Sequence, residues 1–199
     1  MNTTTLNEIR SHRPCEELWE KLLEGLGKTK ADDEPLPYST ILKVCGLDDT
    51  LWAIVCCHPR GLRICAEFAL WCAEGVRDRM TDPSLIAILD IARRYLDGNA
   101  RRAEFRRTQT EVRVANCAAD RAAAFAADCV ETARGTDYVA YCAAPYADAV
   151  DAAAYADRAA ADAAHAADCA GYAADCAADW DAARTAQSSK LLGMLEEMQ

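Results

Sequence analysis

Alanine dominates the second half of the chain, where it fills 33 of the 76 positions from Glu111 to Ala186. Alanine has the highest intrinsic helix propensity and a side chain too small to bury much area, so this stretch favours long, closely packed helices. Helical patterns cover the rest of the chain, without the sustained alternation typical of strands. Thr5 and the Thr81–Pro83 segment with Asp82 are the N-cap signals, and Gly25 and Gly27 are the stop signal of an early helix. The sequence therefore predicts an all-α fold.

The composition changes after Gly98, which divides the predicted fold in two. Residues 1–98 hold most of the large apolar side chains and predict a helical bundle. Residues 99–199 predict a long antiparallel alanine-rich acidic arm with a C-terminal helix. In the arm we expect helices over residues 99–134, 136–144 and 146–184. The expected core of the bundle consists of Trp19, Leu22, Leu51, Trp52, Ile54, Ile64, Phe68, Trp71, Ile88 and Ile91.

The formal net charge of -10 is concentrated in the arm. Residues 1–110 carry 16 basic and 17 acidic groups, whereas residues 111–199 carry 6 and 15. Such an excess of carboxylates argues against direct contact with nucleic acid and favours a basic protein partner. A basic leader and an 18-residue apolar run are missing from the sequence, so we expect a cytoplasmic protein without membrane contact, its eleven cysteines reduced.

Four aspartates of the last arm helix are expected on one ridge, because their spacings of 11, 7 and 4 residues each return to nearly the same side of a helix. They are Asp157, Asp168, Asp175 and Asp179, and Asp120 and Glu131 form a weaker version on the first arm helix. A row of carboxylates either keeps an alanine-rich helix soluble or imitates a phosphate backbone. In the second case it would occupy the basic groove of a nucleic-acid-binding protein.

A second stripe on the last arm helix carries most of its larger side chains and is expected to face the core. It consists of Tyr155, His165, Cys169, Tyr172, Cys176 and Trp180, and the remaining side is bare alanine that would admit a neighbouring helix. His165, Cys169 and Cys176 are also the candidate metal ligands, completed by Cys129 or Cys142. Packing explains the same residues, so the sequence predicts neither a metal nor another cofactor.

Two groups in the first half have a chemical and a structural interpretation. Cys56 and Cys57 beside His58 suggest a thiol nucleophile with an imidazole base, although cysteine also packs well at a helix junction. The Asp48–Asp49 pair suggests either acid/base chemistry or helix capping. A basic cluster at the start of the arm could bind phosphate or pair with the acidic arm. It consists of Arg101, Arg102, Arg106 and Arg107.

Three stretches carry a resemblance to a known group of proteins: the Gly46–Asp49 turn into Leu51 and Trp52, the Leu70–Ala73 stretch, and the Thr81–Pro83 cap. Over roughly residues 40–185 the chain resembles an alanine-rich family of phages and bacteria described as immunity proteins. That family's arms carry Ala-Trp and Ala-Arg repeats where this chain has Asp, Cys and Tyr. The family brings no known catalytic residues and implies a small protein of mobile elements.

The acidic arm and the resemblance to the alanine-rich family together predict a non-enzymatic, phage-encoded inhibitor. Its target would be a host defence protein, so the inhibitor would be of the anti-CRISPR or anti-restriction type. An immunity protein that neutralises a bacterial toxin is the first alternative. A thiol- or metal-dependent enzyme is the second.

Overall fold

The computed structural model describes residues 2–111, 118–134, 158, 160–170 and 180–197, and most of them are helical. The predicted all-α class is therefore confirmed. The helices are α1 (Leu6–Ser11), α2 (Glu16–Leu26), α3 (Tyr38–Cys45), α4 (Leu47–Cys57), α5 (Gly61–Glu74), α6 (Pro83–Leu96), α7 (Arg102–Glu111), α8 (Ala118–Arg134), α9 (160–170) and α10 (Trp180–Glu197).

A short antiparallel pair of strands, which the sequence did not predict, joins the N-terminus to the loop before α3. Strand β1 (Thr3–Thr4) pairs with β2 (Leu36–Pro37), with Thr4 opposite Leu36. Two-residue strands are too short to show an alternating pattern, so sequence periodicity could not reveal them.

Helix boundaries in the first half follow the local signals of the sequence. The Thr5 hydroxyl accepts a hydrogen bond from the backbone N–H of Glu8 at 3.1 Å and caps α1. Gly27, with a left-handed φ of 64°, ends α2. The Asp82 carboxylate accepts the Ser84 N–H at 2.8 Å, and Pro83 is the first residue of α6. These three capping predictions are confirmed.

The core is centred on α5, which packs against α4, α6, α8 and α10. Most of the expected core is confirmed, because seven of the ten residues are buried and the indoles of Trp19, Trp52 and Trp71 are half-buried. A tryptophan side chain is large and carries one polar N–H, so it often lies at the edge of a core. The seven buried residues are Leu22, Leu51, Ile54, Ile64, Phe68, Ile88 and Ile91.

The described residues of the second half pack against the bundle. Helix α8 packs along α5 and α6, and α10 packs against α5 and α3. Alanines of α8 and α9 join the side chains of the bundle in one continuous core, together with Leu191 and Leu195 of α10. An alanine face lets two helix axes approach closely, and here the neighbour it approaches is the bundle.

The last helices differ from expectation in two places. The predicted helix 146–184 was to end at residue 184, but α10 continues to Glu197. Of the expected core stripe, His165 is exposed and Cys169 is half-buried at the edge of the core, whereas Ala163 and Ala167 are fully buried; Tyr155, Tyr172, Cys176 and the side chain of Trp180 lie outside the described residues. Close packing places the smallest side chains between the helices and leaves the larger ones at the margin. The predicted helix 136–144 lies outside the described residues.

Candidate functional site

Asp120 was expected on an exposed acidic surface, and this placement is wrong. Its side chain is 0% exposed and accepts hydrogen bonds from Thr81, at 3.0 Å from the backbone N–H and 2.8 Å from the hydroxyl. A buried carboxylate that accepts two hydrogen bonds holds α8 against the segment before α6. Asp120 therefore belongs to the core and has no surface to offer a partner.

Glu131, the second acidic candidate on α8, is held by the basic cluster at the start of the second half. Arg106 Nε lies 2.7 Å from Glu131 Oε1, and Arg102 lies 3.8 Å from the same atom. Only 22% of the Glu131 side chain is exposed, so much of its charge is compensated within the chain. The prediction that the arginine cluster pairs with the acidic half is confirmed for these two arginines.

Asp168 is the member of the aspartate ridge that the structure describes. It forms an ion pair with Arg184 of α10, and partial burial raises the pKa of its carboxyl. Arg184 also lies 3.4 Å from Asp48 Oδ1, so one guanidinium joins α9, α10 and the start of α4. The other ridge members, Asp157, Asp175 and Asp179, lie outside the described residues.

A pair of carboxylates that the sequence analysis missed lies where α8 meets α9. Asp162 is nearly buried, its Oδ2 lies 3.8 Å from Arg158 Nε, and burial followed by the charge of Asp128 raises its pKa to about 6. Burial also raises the pKa of Asp128, which accepts a hydrogen bond from Gln109 Nε2 at 2.8 Å. Beside this pair the rings of Phe125 and His165 lie 4.9 Å apart. The i, i+5 offset of Asp162 from Asp157 could have shown that it lies off the ridge.

The Asp48–Asp49 turn forms ion pairs with two other helices, α2 and α10. Both residues lie in the first turn of α4, where carboxylates stabilise a helix, but neither caps it with a side-chain hydrogen bond. Asp49 Oδ2 lies 3.2 Å from Lys21 Nζ, which also donates to the Cys45 carbonyl at 2.5 Å. Capping by these side chains, one of the two interpretations of the pair, is therefore wrong: Gly46 is the N-cap residue of α4, and Asp49 instead forms a bridge to α2.

Two clefts lie on either side of the Asp48–Asp49 turn. One has a volume of about 390 Å³ and is lined by Lys21 and Arg184. The other has a volume of about 440 Å³ and opens between α2, α4 and α9, with Arg13 in its lining. Both Asp48 and Asp49 line both clefts, so the turn is a charged partition between them.

The metal candidates are not brought together in the part of the chain that the structure describes. Within it, no three His, Cys, Asp or Glu side chains lie close enough to hold a metal ion. His165 is exposed beside Phe125, and Cys169 is half-buried at the edge of the core. The thiol of Cys129 and the whole of Cys142 and Cys176 lie outside the described residues.

The thiol candidates at the end of α4, Cys56 and Cys57, are both half-buried. Burial raises the pKa of Cys57 to about 11, which keeps this thiol protonated at neutral pH. His58 is buried, and its Nδ1 accepts a hydrogen bond from the Arg60 backbone N–H at 3.1 Å. Activation of a thiol requires a lowered pKa, so this environment acts against a nucleophilic Cys57.

Among the described helices, none is both long and apolar enough to cross a membrane. A comparison with known proteins finds no matching family model, no matching curated protein and no matching solved structure.

Proposed function

We propose that the chain is a non-enzymatic inhibitor that binds a basic host protein through its acidic second half. In this proposal the partner is a nucleic-acid-binding defence effector, of the kind blocked by anti-CRISPR or anti-restriction proteins encoded by phages. The carboxylates occupy the groove that normally receives a phosphate backbone, and the inhibitor itself touches no nucleic acid.

The observation that carries this proposal is the distribution of acidic and basic residues along the sequence. The described acidic candidates are engaged within the chain: Asp120 with Thr81, Glu131 with Arg106, and Asp168 with Arg184. In contrast, residues 135–157 and 171–179 contain six acidic residues and not one Lys or Arg. These six are Asp137, Asp148, Asp151, Asp157, Asp175 and Asp179.

Charge of one sign concentrated in a short stretch raises the rate of association with a cationic partner and makes binding depend on salt. A basic groove that binds nucleic acid is a protein surface electrostatically complementary to such a charge. Asp168 contributes less than the sequence suggested, because Arg184 neutralises it. The best test residues are therefore Asp157, Asp175 and Asp179.

The test compares capture of host proteins by the parent chain and by a variant carrying Asp157→Asn, Asp175→Asn and Asp179→Asn. Immobilised protein is incubated with host lysate at low and high salt, and bound proteins are identified by mass spectrometry. The variant should retain its helix content but bind the basic partner at least about tenfold more weakly, and high salt should release that partner from the parent.

The matched control removes the same number of charges from exposed positions of α2, with Glu17→Gln, Glu20→Gln and Glu24→Gln. This control should capture the partner as the parent does. Equal capture by the aspartate variant and the parent would overturn the proposal, as would binding that high salt leaves unchanged.

A toxin-neutralising immunity protein is the second candidate, and the Asp48–Asp49 turn favours it. The Asp48 side chain is 60% exposed on the bundle, next to two clefts, as a specific interface there would require. For this function, Asp48→Asn with Asp49→Asn should abolish binding of the toxin, while the three aspartate changes of the second half leave it intact. A toxin gene beside the gene for this chain would support it.

A further inference from the structure

The cleft between α2, α4 and α9 has the size and lining of a small-molecule site. Its volume of about 440 Å³ lies within the range of roughly 300 to 1,000 Å³ common for ligand pockets. Leu18 and Trp52 supply apolar surface, and three alanines of α9, at positions 160, 161 and 164, form a smooth side without protruding groups. Such a lining receives an apolar side chain of moderate size.

Asp48 and Asp49 line this cleft and give it negative charge, and their side chains are 60% and 31% exposed. The cations that pair with them within the chain, Arg184 and Lys21, line the neighbouring cleft and not this one. Among the described residues, the two carboxylates are therefore approached by cations from one side and open to a ligand on the other. An ammonium group is the ligand chemistry they would accept.

Positive charge enters the same cleft from Arg13, which is exposed and forms no ion pair within the described part of the chain. Arg13 has a left-handed φ of 55° and is followed by Pro14, which further restricts its backbone. This conformation costs an arginine roughly 1 kcal/mol more than it would cost glycine. A charged side chain at a strained backbone position indicates a binding role in the cleft.

We propose that this cleft binds a small zwitterionic ligand with an apolar side chain, the chemistry of a free amino acid or short peptide. The ligand's ammonium group lies against Asp48 and Asp49, its carboxylate against Arg13, and its side chain against Trp52 and Leu18. A purely cationic ligand would meet Arg13, and a purely anionic one would meet the two aspartates. This site is independent of the acidic surface in the proposed function.

Cys15 provides a direct readout, because its thiol is exposed and lines the same cleft. The rate of iodoacetamide modification at Cys15 is followed by mass spectrometry of its peptide while phenylalanine or the dipeptide Phe-Ala is added. Either probe should slow this modification severalfold at saturation. N-acetylphenylalanine lacks the ammonium group and phenylalaninamide lacks the carboxylate, so each should bind about tenfold or more weakly than phenylalanine.

Variants then assign each charge. Arg13→Asn, chosen because asparagine tolerates left-handed backbone, should make phenylalanine and phenylalaninamide bind equally. Asp48→Asn with Asp49→Asn should remove the preference for phenylalanine over its acetylated form. Glu17→Gln, an exposed change on the same helix α2, should alter neither preference.

Two results would overturn the proposal. One is the lack of protection of Cys15 by either zwitterionic probe up to about 10 mM, well beyond the range of specific small ligands. The other is equal protection by the free and blocked compounds, which would mark an unselective apolar cleft. An unchanged unfolding temperature of each variant excludes loss of the fold as the cause.

Discussion

The carboxylate of Asp120 accepts hydrogen bonds from both the backbone N–H and the hydroxyl of Thr81, at 3.0 and 2.8 Å. This contact joins the first turn of α8 to the segment that begins α6, across 39 residues of sequence. The Asp120 side chain is fully buried, and a buried carboxylate is costly unless hydrogen bonds compensate it. An acidic residue that composition assigns to the surface is thus part of the packing.

Asp120→Ala should lower the free energy of unfolding by about 2 to 4 kcal/mol, because it removes the buried carboxylate that accepts both hydrogen bonds from Thr81. Thr81→Val should cost less, since the backbone N–H remains paired. Urea unfolding measures both, and the double variant should lose less than the sum of the single losses. The neighbouring exposed Arg121 is the control, and its change to Ala should stay within about 0.5 kcal/mol. A similarly small effect of Asp120→Ala would contradict this role.

Stability should depend on pH through Asp162. Burial first, and the nearby Asp128 second, raise its pKa to about 6, while Arg158 and His165 act in the opposite direction. The folded state therefore binds more protons than the unfolded state between about pH 4 and pH 6. This group's contribution favours folding below that window and is lost as pH rises through 6.

Asp162→Asn removes the cost of burying this charge, so the variant should be more stable than the parent at pH 7.5 by about 1 to 3 kcal/mol. The advantage should shrink at pH 5, where the parent's carboxyl is mostly protonated in the folded state. Urea midpoints of both proteins at the two pH values give the comparison. A difference that does not change with pH would show that Asp162 is ionised throughout.

The start of α5 packs so closely on α4 that Gly61 has no room for a side chain. A Cβ there would overlap the carbonyl oxygen of Ile54 and crowd Val55, and both are backbone contacts that cannot rotate away. Gly61→Ala should therefore destabilise the fold by about 1 to 3 kcal/mol. Gly193→Ala, in α10 with open space around it, should instead stabilise by about 0.5 to 1 kcal/mol. Thermal unfolding of the two variants should show shifts of opposite sign.

Thiol reactivity should distinguish the exposed Cys15 from Cys45, which is buried, and Cys57, which is half-buried. Burial raises the pKa of both Cys45 and Cys57 to about 11, so less than about one molecule in a thousand carries either thiolate at pH 7.5. Iodoacetamide should label Cys15 at least about a hundredfold faster than Cys57, as measured peptide by peptide. Fast labelling of Cys57 at pH 7.5 would instead favour the thiol-enzyme alternative.

Capping residues made the helices of the first half readable from sequence, because a cap is decided by a few neighbouring residues. Thr5, Gly27 and Asp82 act locally, and each is found where the pattern placed it. The apolar spacing of the bundle likewise identified Leu51, Ile54 and Phe68 as buried. These features depend on one helix at a time.

Which face of each alanine-rich helix is buried could not be predicted from local sequence in the same way. An alanine-rich helix has little difference in hydrophobicity between its faces. The larger residues of α9 therefore predict its core face, but His165 is exposed. Which face is buried depends on the partner helix, and that information lies far away in the sequence. The burial of Asp120 could not be predicted for the same reason, since the sequence of an alanine-rich helix does not show which neighbour will cover a charged residue.

The buried alanines of α8 have a consequence for how this sequence can vary. Ala122, Ala123 and Ala126 have no exposed surface where α8 lies along α5 and α6, so each sets the separation between two helix axes. A larger residue at any of them would have to push a whole helix outward. The alanine-rich composition thus fixes the distances between helices. We expect homologues of this protein to differ at their surface aspartates and cysteines far more often than at these buried alanines.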